Sequence, residues 1–199
     1  MTKKLPSERR IEAVVIGASA GGVDALMKLF DDLPAGWRLP VVVVIHLPEE
    51  HESRLAEVFA ARLPFAVEEA RDKAPVEAGT LYFAPPGYHL SIERQRSFSL
   101  SCEPPVLFSR PAIDVLMSSA ADTYGPALAG ILLTGANGDG AQGLLDVHRA
   151  GGLTIVQDPA EAMVATMPQA AIDAHAPDFV LSLRAIRALM LRLDSHHAD

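Results

Sequence analysis

Short apolar runs alternate along the chain with longer segments whose apolar residues recur at helical spacing. Four of these runs are almost wholly apolar: residues 11–16, 41–45, 128–133 and 153–156. Strands of this kind are covered by helices on both faces, and their alternation with helices is typical of βαβ units. We therefore predict an α/β fold, with a doubly wound, mainly parallel sheet flanked by helices.

Helical spacing is clear in the segments between the runs, for example at Leu26, Leu29 and Phe30. Four crossover helices are predicted, at residues 23–33, 53–63, 114–124 and 142–150. Near the end of the chain, residues 178–193 predict a last short strand followed by a helix.

Residues 66–103 have a different pattern. Two extended runs, residues 80–84 and 89–100, show partial alternation of apolar and polar side chains and are separated by a Pro-Pro-Gly turn. We interpret them as an antiparallel hairpin added at one edge of the sheet.

Composition narrows the class of protein. A chain of 199 residues that is 49% apolar and 21% charged is typical of one compact domain. Its net charge of -8 disfavours nucleic acid and anionic membranes as partners. A single cysteine, Cys102, cannot form an internal disulfide, and no apolar run is long enough to span a bilayer. We expect a cytoplasmic protein without membrane insertion.

Candidate chemistry first occurs at residues 17–22, Gly-Ala-Ser-Ala-Gly-Gly, between the first strand and the first helix. The pattern Gly-x-Ser-x-Gly allows a sharp strand-to-helix turn that exposes the hydroxyl of Ser19, with helix amides near enough to stabilise an oxyanion. A phosphate-binding loop or a plain tight turn are the alternatives. The nucleotide-binding alternative is weaker, because its G-x-G-x-x-G motif requires glycine where Ser19 stands.

His46 and Asp139 are predicted at the same edge of the sheet as Ser19. Each follows an apolar run, and the carboxyl ends of parallel strands form the edge where ligands bind. Serine, histidine and aspartate together can act as nucleophile, general base and orienting acid. Each residue also has a structural alternative, since His46 could cap a strand and Asp139 could cap a helix.

Two further polar residues are weaker candidates. Asp158 follows the run at residues 153–157 and is a reserve for the acid. Arg110, just before Pro111, could bind a carboxylate or form a surface salt bridge. The sequence has no H-E-x-x-H motif and only one cysteine, so no metal site is predicted.

An ordered set of short motifs resembles the CheB-type protein-glutamate methylesterases of bacterial chemotaxis, over roughly residues 12–190. The shared motifs are Ile16-Gly17-Ala18-Ser19-Ala20-Gly21-Gly22, Val44-Ile45-His46-Leu47-Pro48, Tyr82-Phe83-Ala84-Pro85, His89-Leu90, Arg110-Pro111-Ala112-Ile113-Asp114, Leu133-Thr134-Gly135, Asp139-Gly140-Ala141, Gln157-Asp158 and Met167-Pro168. The resemblance implies a methylesterase-like domain at residues 11–193, which we expect between a disordered N-terminal segment, residues 1–10, and a flexible tail, residues 194–199.

The same resemblance implies that Ser19, His46 and Asp139 are the catalytic serine, histidine and aspartate of that family. The implied reaction is hydrolysis of glutamate methyl esters on the cytoplasmic helices of methyl-accepting chemoreceptors, through an acyl-enzyme on Ser19. Glutamine deamidation is a related activity of some members. No cofactor is implied, and separate signalling proteins are expected as further partners.

The sequence departs from the family pattern in three places. Only ten residues precede the first strand, so we expect a stand-alone form without the receiver domain that the family commonly carries. Ala20 stands where threonine is common, and Ala136 lies where the family commonly has Gly-Met-Gly. These alanines line the predicted pocket and affect the expected specificity and rate. A non-catalytic interaction module on the same fold and an esterase of small-molecule esters remain the alternative functions.

Overall fold

A computed structural model describes residues 10–46 and 53–196 of the chain. Within this part, nine strands alternate with six α-helices. The strands are β1 (Ala13–Ala18), β2 (Val41–Ile45), β3 (Ala66–Glu69), β4 (Thr80–Phe83), β5 (His89–Ile92), β6 (Phe98–Ser101), β7 (Leu128–Leu132), β8 (Leu153–Gln157) and β9 (Phe179–Leu181). The helices are α1 (Gly22–Phe30), α2 (Leu55–Ala60), α3 (Ile113–Tyr124), α4 (Ala141–Arg149), α5 (Thr166–Ala174) and α6 (Leu183–His196).

Seven strands form one sheet in the order β3-β4-β2-β1-β7-β8-β9, and every neighbouring pair is parallel. The predicted doubly wound α/β fold is confirmed. The four apolar runs of the sequence are its central strands β1, β2, β7 and β8, whose residues are all buried.

Successive residues of each central strand point to opposite faces, so the sheet supports two hydrophobic cores. On one face, Val14 and Ile16 pack in the core that contains α1, α2 and α6. On the other face, Ala13 and Val15 pack in the core that contains α3, α4 and α5. The structure is therefore a three-layer sandwich of helices, sheet and helices.

The prediction for residues 80–84 was wrong in one respect. The run forms β4, which lies inside the parallel sheet between β2 and β3 and belongs to no antiparallel hairpin. All four residues of β4 are buried, as expected for a strand that is covered on both faces. The alternation in residues 80–84 was too short to distinguish an edge strand from an internal one.

An antiparallel hairpin is present, and it forms entirely within the second run, from β5 and β6. It makes its own two-stranded sheet instead of extending the seven-stranded one. Its buried side chains Leu90, Ile92 and Phe98 join the core beside α3.

Two features at the end of the chain differ from the predictions. Helix α5 was not predicted, since its short segment begins with Thr166, Met167 and Pro168 and has little helical periodicity. The last helix extends to His196, and Asp194 is buried and accepts hydrogen bonds from the amides of Arg38 and Leu39. Residues 194–196 therefore belong to α6 and not to the predicted tail; residues 1–9 and 197–199 lie outside the described residues.

The chain reverses direction at the centre of the sheet. From β1 it continues to β2 on one side, and it later returns to place β7 on the other side of β1. Such a switch point leaves a crevice at the carboxyl ends of the two strands, where open α/β sheets bind their ligands. In the part of the chain that is described, no helix has the length and apolar character needed to cross a membrane.

Candidate active site

Ser19 lies at the switch point, immediately after β1. The register pairs Ala18 with Ile45 of β2, and the His46 amide donates to the Ala18 carbonyl at 3.1 Å. Paired strands lie about 4.8 Å apart, so Ser19 and His46 are neighbours at one edge. On the β7 side, the Ser19 amide donates to the carbonyl of Thr134 at 2.9 Å.

The turn after Ser19 depends on Gly21, which caps α1 with a φ of 78°, in the left-handed region. A Cβ at this position would lie 2.7 Å from Cβ of Met163. No hydrogen bond between the described residues uses the amides of Ala20 and Gly21. Two backbone donors thus remain beside Ser19, at the positive end of the α1 dipole.

Asp139 is the most enclosed group of the site, with 0% of its surface exposed. One carboxylate oxygen, Oδ2, lies 2.7 Å from Nε2 of His46 and accepts the amide of Ile113 at 2.7 Å. The other, Oδ1, accepts the amide of Asp114 at 2.9 Å. The carboxylate therefore binds the first two amides of α3 and the histidine ring at the same time, and the helix that it caps is α3, not α4, which follows it in the chain.

Asp114 makes the reciprocal contact. Its Oδ1 accepts the amides of Gly140 at 2.9 Å and Gly143 at 2.7 Å, at the start of α4. Burial raises the pKa of Asp114 and the charge of Asp139 adds to the rise, while hydrogen bonds from the two amides oppose it. The first amides of α3 thus donate to Asp139, just before α4, and amides at the start of α4 donate to Asp114 in α3. These reciprocal hydrogen bonds fix the loop that carries Asp139.

The His46 ring is held from both sides. Its side chain is only 12% exposed, and Nε2 faces Asp139. A carboxylate only accepts hydrogen bonds, so Nε2 is the donor, and in the neutral ring Nδ1 is then the acceptor. The hydroxyl of Ser109 lies 3.3 Å from Nδ1 and donates to it. In the neutral ring, Nδ1 is therefore the nitrogen that can accept a proton.

The Ser19 hydroxyl makes no hydrogen bond within the described residues, and Ser19 is half-buried. The structure thus joins His46 to Asp139 directly and brings Ser19 to the same edge without a hydrogen bond between its hydroxyl and the ring. Catalytic hydrogen bonds in substrate-free enzymes are often long and tighten only when substrate binds.

The weaker candidates have structural contacts of their own. Asp158 accepts the amide of Ala160 at 2.9 Å and caps its own loop. Arg110 forms no salt bridge among the described residues; one guanidinium nitrogen donates to the carbonyls of Cys102 and Glu103, both at 3.2 Å. Within the described residues, neither side chain forms a hydrogen bond with His46. The described part of the chain holds no group of three or more side chains suited to a metal ion.

A sequence profile described as CheB methylesterase matches residues 14–190. The chain belongs to the CheB methylesterase family. This finding confirms the resemblance seen in the sequence motifs.

Two relatives show how much of this CheB-family chain the similarity covers. A protein of Leptospira interrogans, provisionally named protein-glutamate methylesterase/protein-glutamine glutaminase, is 43% identical over 188 residues, which are 94% of this chain and 97% of the relative. Protein-glutamate methylesterase/protein-glutamine glutaminase 1 of Hahella chejuensis is 42% identical over 186 residues, covering 90% of this chain but only 50% of the relative.

The fold is also that of a solved CheB-family structure. The catalytic domain of the Thermotoga maritima CheB methylesterase superposes with a TM-score of 0.87 at 32% sequence identity. The match covers 92% of this chain and 98% of that domain.

Sequence reasoning missed two side chains of this CheB-family site. Ser109 contacts His46 although 63 residues separate them, and no spacing rule connects a loop serine with a strand end. His89 is buried, and its Nδ1 accepts the Ala112 amide at 3.2 Å while Nε2 donates to the Pro104 carbonyl at 3.1 Å. The position of His89 at the start of a strand did not predict that it would hold the segment between Pro104 and Ala112.

Proposed function

We propose that this chain hydrolyses methyl esters of glutamate side chains in proteins, with Ser19 as nucleophile, His46 as general base and Asp139 as orienting acid. One observation carries the proposal: a buried carboxylate holds the histidine ring at the switch point, next to a serine on a strand-to-helix turn. The names of the Leptospira and Hahella relatives support glutamate methyl esters and glutamine side chains as substrates.

In the first half of the reaction, Nδ1 of His46 takes the proton of the Ser19 hydroxyl as the oxygen attacks the ester carbonyl carbon. The carbonyl becomes an oxyanion. The carbon–oxygen bond to the methoxy group then breaks, and methanol leaves with the proton from His46. Asp139 stabilises the imidazolium that exists between these steps.

In the second half, His46 takes a proton from water, and the hydroxide attacks the acyl carbon. The bond to Ser19 breaks, the serine recovers its proton from His46, and a glutamate side chain is released. A glutamine substrate follows the same steps with ammonia as the leaving group, which supports deamidation as a second activity.

The amides of Ala20 and Gly21 are the groups that we assign to the oxyanion. They belong to the two residues that follow Ser19, and they donate to no described residue. Donors that are already in place stabilise the negative charge as it develops, and removing one such donor from a serine hydrolase slows it by about 10²–10³-fold.

Ser109 is the rival nucleophile, since its hydroxyl contacts Nδ1 of His46 at 3.3 Å. Its own amide is occupied by the carbonyl of Val106, on a turn in the segment between β6 and α3. Of the two residues that follow Ser109, Pro111 has no N–H, so an oxyanion formed at Ser109 would have fewer backbone donors than one formed at Ser19. We therefore assign Ser109 to positioning the ring.

The proposed partner is the methylated cytoplasmic region of a chemoreceptor, whose glutamyl esters are exposed on helices. The proposed location of the reaction is the cytoplasm. None of the proposed steps requires a cofactor.

The experiment measures methanol release from a methylated chemoreceptor cytoplasmic fragment by wild type, Ser19→Ala and Ser109→Ala at equal folded concentration. We expect a measurable wild-type rate, a loss on the order of 10³-fold or more in Ser19→Ala, and a loss of no more than about tenfold in Ser109→Ala. A fluorophosphonate probe followed by peptide mapping should label Ser19.

Label on Ser109, with activity retained by Ser19→Ala, would reassign the nucleophile. No methanol release by folded wild-type protein would refute the methylesterase proposal.

A further inference from the structure

A strained turn lies beside the catalytic histidine. Val106 and Ser109 exchange both backbone hydrogen bonds, at 3.1 and 2.9 Å, across Leu107 and Phe108. Leu107 has a φ of 46° and Phe108 a φ of 65°, so both central residues are left-handed. This geometry is a type I′ turn, which strongly favours Asn-Gly, and bulky side chains at both positions are genuine outliers.

The exposure of this turn makes its residues more unusual. The Phe108 side chain is fully exposed, at 102% of its reference area, and Leu107 is 50% exposed. Neither packing nor burial in the free protein therefore compensates for the strain. Strained residues of this kind cluster at active sites and ligand clamps.

The turn is held firmly by its surroundings. His89, which is 1% exposed, bridges the Pro104 carbonyl and the Ala112 amide at the two ends of the segment. The Arg110 guanidinium ties the same segment to the carbonyls of Cys102 and Glu103. Two apolar side chains are thus presented to solvent from a fixed platform.

This platform is part of the site, because Ser109 of the same turn contacts His46. On the Ser19 side lies a third exposed apolar side chain, Met163, which is 78% exposed and packs against Gly21. Exposed apolar residues therefore lie on both sides of the Ser19–His46 pair.

We infer that Phe108, with Leu107 and Met163, contacts the apolar side chains that flank the methylated glutamate on the substrate helix. This inference rests on the proposed function. A small ester that reaches Ser19 would leave a fully exposed phenyl ring in water, whereas a polypeptide laid over the site would cover it. The occupant is the substrate protein, and the turn discriminates between an ester on a helix and the same ester on a small molecule.

The experiment uses two substrates with the same ester group: a methylated chemoreceptor cytoplasmic fragment and N-acetyl-glutamate γ-methyl ester amide. The quantity compared is the ratio of the two kcat/KM values. In Phe108→Gly we expect this ratio to fall roughly 10- to 100-fold, which is the effect of losing one buried phenyl group on binding. Glycine suits a left-handed φ, so Phe108→Gly should also melt at a higher temperature than wild type.

A matched control is Leu191→Ser, which removes an apolar side chain that is 37% exposed on α6. Helix α6 packs on the face of the sheet opposite to α3. Its ratio should equal the wild-type ratio. Met163→Gln should lower the ratio by a smaller factor than Phe108→Gly.

An unchanged ratio in Phe108→Gly would overturn the inference, and so would a wild-type dimer that dissociates in this variant. Wild-type protein that releases no methanol from either substrate would instead refute the proposed function, so the two failures are distinguishable.

Discussion

The two halves of the candidate site are built in different ways. In the half with His46 and Asp139, the carboxylate is fully buried and the histidine side chain is 12% exposed, and direct hydrogen bonds of 2.7 Å join the carboxylate to the ring and to the start of α3. In the other half, Ser19 is half-buried and its hydroxyl has no hydrogen-bond partner among the described residues. Backbone groups and one side-chain hydroxyl position this half: the Ser19 amide donates to the carbonyl of Thr134, the Thr134 hydroxyl donates to the carbonyl of Ala20 at 2.8 Å, and the chain turns at Gly21.

This difference separates stability from reactivity. Asp139 contributes to the fold, because two helix amides depend on its carboxylate. Ser19 contributes little to the fold through its side chain, so its hydroxyl is free to respond to the substrate. Substitutions in the first half should therefore reduce stability and activity together, while the Ser19 side chain should affect activity alone.

The largest expected effect comes from Asp139→Asn. Loss of the orienting carboxylate lowers kcat on the order of 10⁴-fold in a serine hydrolase, because the histidine adopts the wrong tautomer. Asparagine also offers one acceptor oxygen where three groups now donate, so the free energy of unfolding should fall by about 1–3 kcal/mol. Methanol release and urea denaturation measure the two effects.

Asp158→Asn is the matched control, because Asp158 is the reserve acid and caps only its own loop. Asparagine can also accept from the Ala160 amide, so stability should change by no more than about 0.5 kcal/mol and activity should persist. If Asp158→Asn were inactive and Asp139→Asn active, the role of orienting acid would belong to Asp158 and not to Asp139.

A smaller effect is expected from Gly21→Ala, which tests the backbone support of the Ser19 half. A left-handed residue other than glycine costs about 1–2 kcal/mol, and the added Cβ requires Met163 to move. A displacement of about 1 Å at a nucleophile can reduce the rate by about 10²-fold. The loss of kcat should therefore exceed the loss of stability when both are expressed as free energies.

Gly36→Ala is the control for the Gly21 substitution. A Cβ at Gly36 has no atom within 4 Å, and this glycine has no left-handed φ. Both kcat and the free energy of unfolding should stay at their wild-type values. Equal activity of Gly21→Ala and Gly36→Ala would show that the turn at Gly21 does not position the nucleophile.

The sequence predicted well those features that follow from strand ends. Ser19, His46 and Asp139 each follow a continuous apolar run, and parallel strands bring their carboxyl ends to one edge whatever their order in the sheet. Their location at a common edge of the sheet could therefore be anticipated without knowing the topology.

Contacts that depend on loops could not be predicted in the same way. The contact of Ser109 with His46 depends on a strained turn, and the pairing of Asp139 with the amides of α3 depends on how two helices start. Strand β4 was misplaced because four residues contain too few alternations to reveal whether one face or both faces are buried. Short elements and non-local caps carry little signal in a single sequence.

The smallest expected effect involves His175, which ends α5 and packs its ring 5.3 Å from that of His148 on α4. Both of its ring nitrogens are buried and lack a hydrogen-bond partner among the described residues. Burial, and secondarily the charge of His148, lower the pKa of His175 below its ordinary value of 6.5, while Asp178 opposes this shift. His175 contacts neither half of the site, so it separates the pH dependence of stability from that of catalysis.

Because the pKa of His175 is lower in the folded protein, the unfolded chain binds more protons just below pH 6.5. The stability associated with neutral His175 is therefore complete above pH 6.5 and is lost as the pH falls through that value toward the folded pKa. Urea denaturation at pH 7.5, 6.5 and 5.5 should show that His175→Leu loses less stability on acidification than wild type does, while the pH profile of methanol release keeps its shape. Parallel stability curves for the two proteins would mean that the ring is solvated as well as an ordinary surface histidine, and a changed activity profile would mean that this end of α5 is coupled to the catalytic edge.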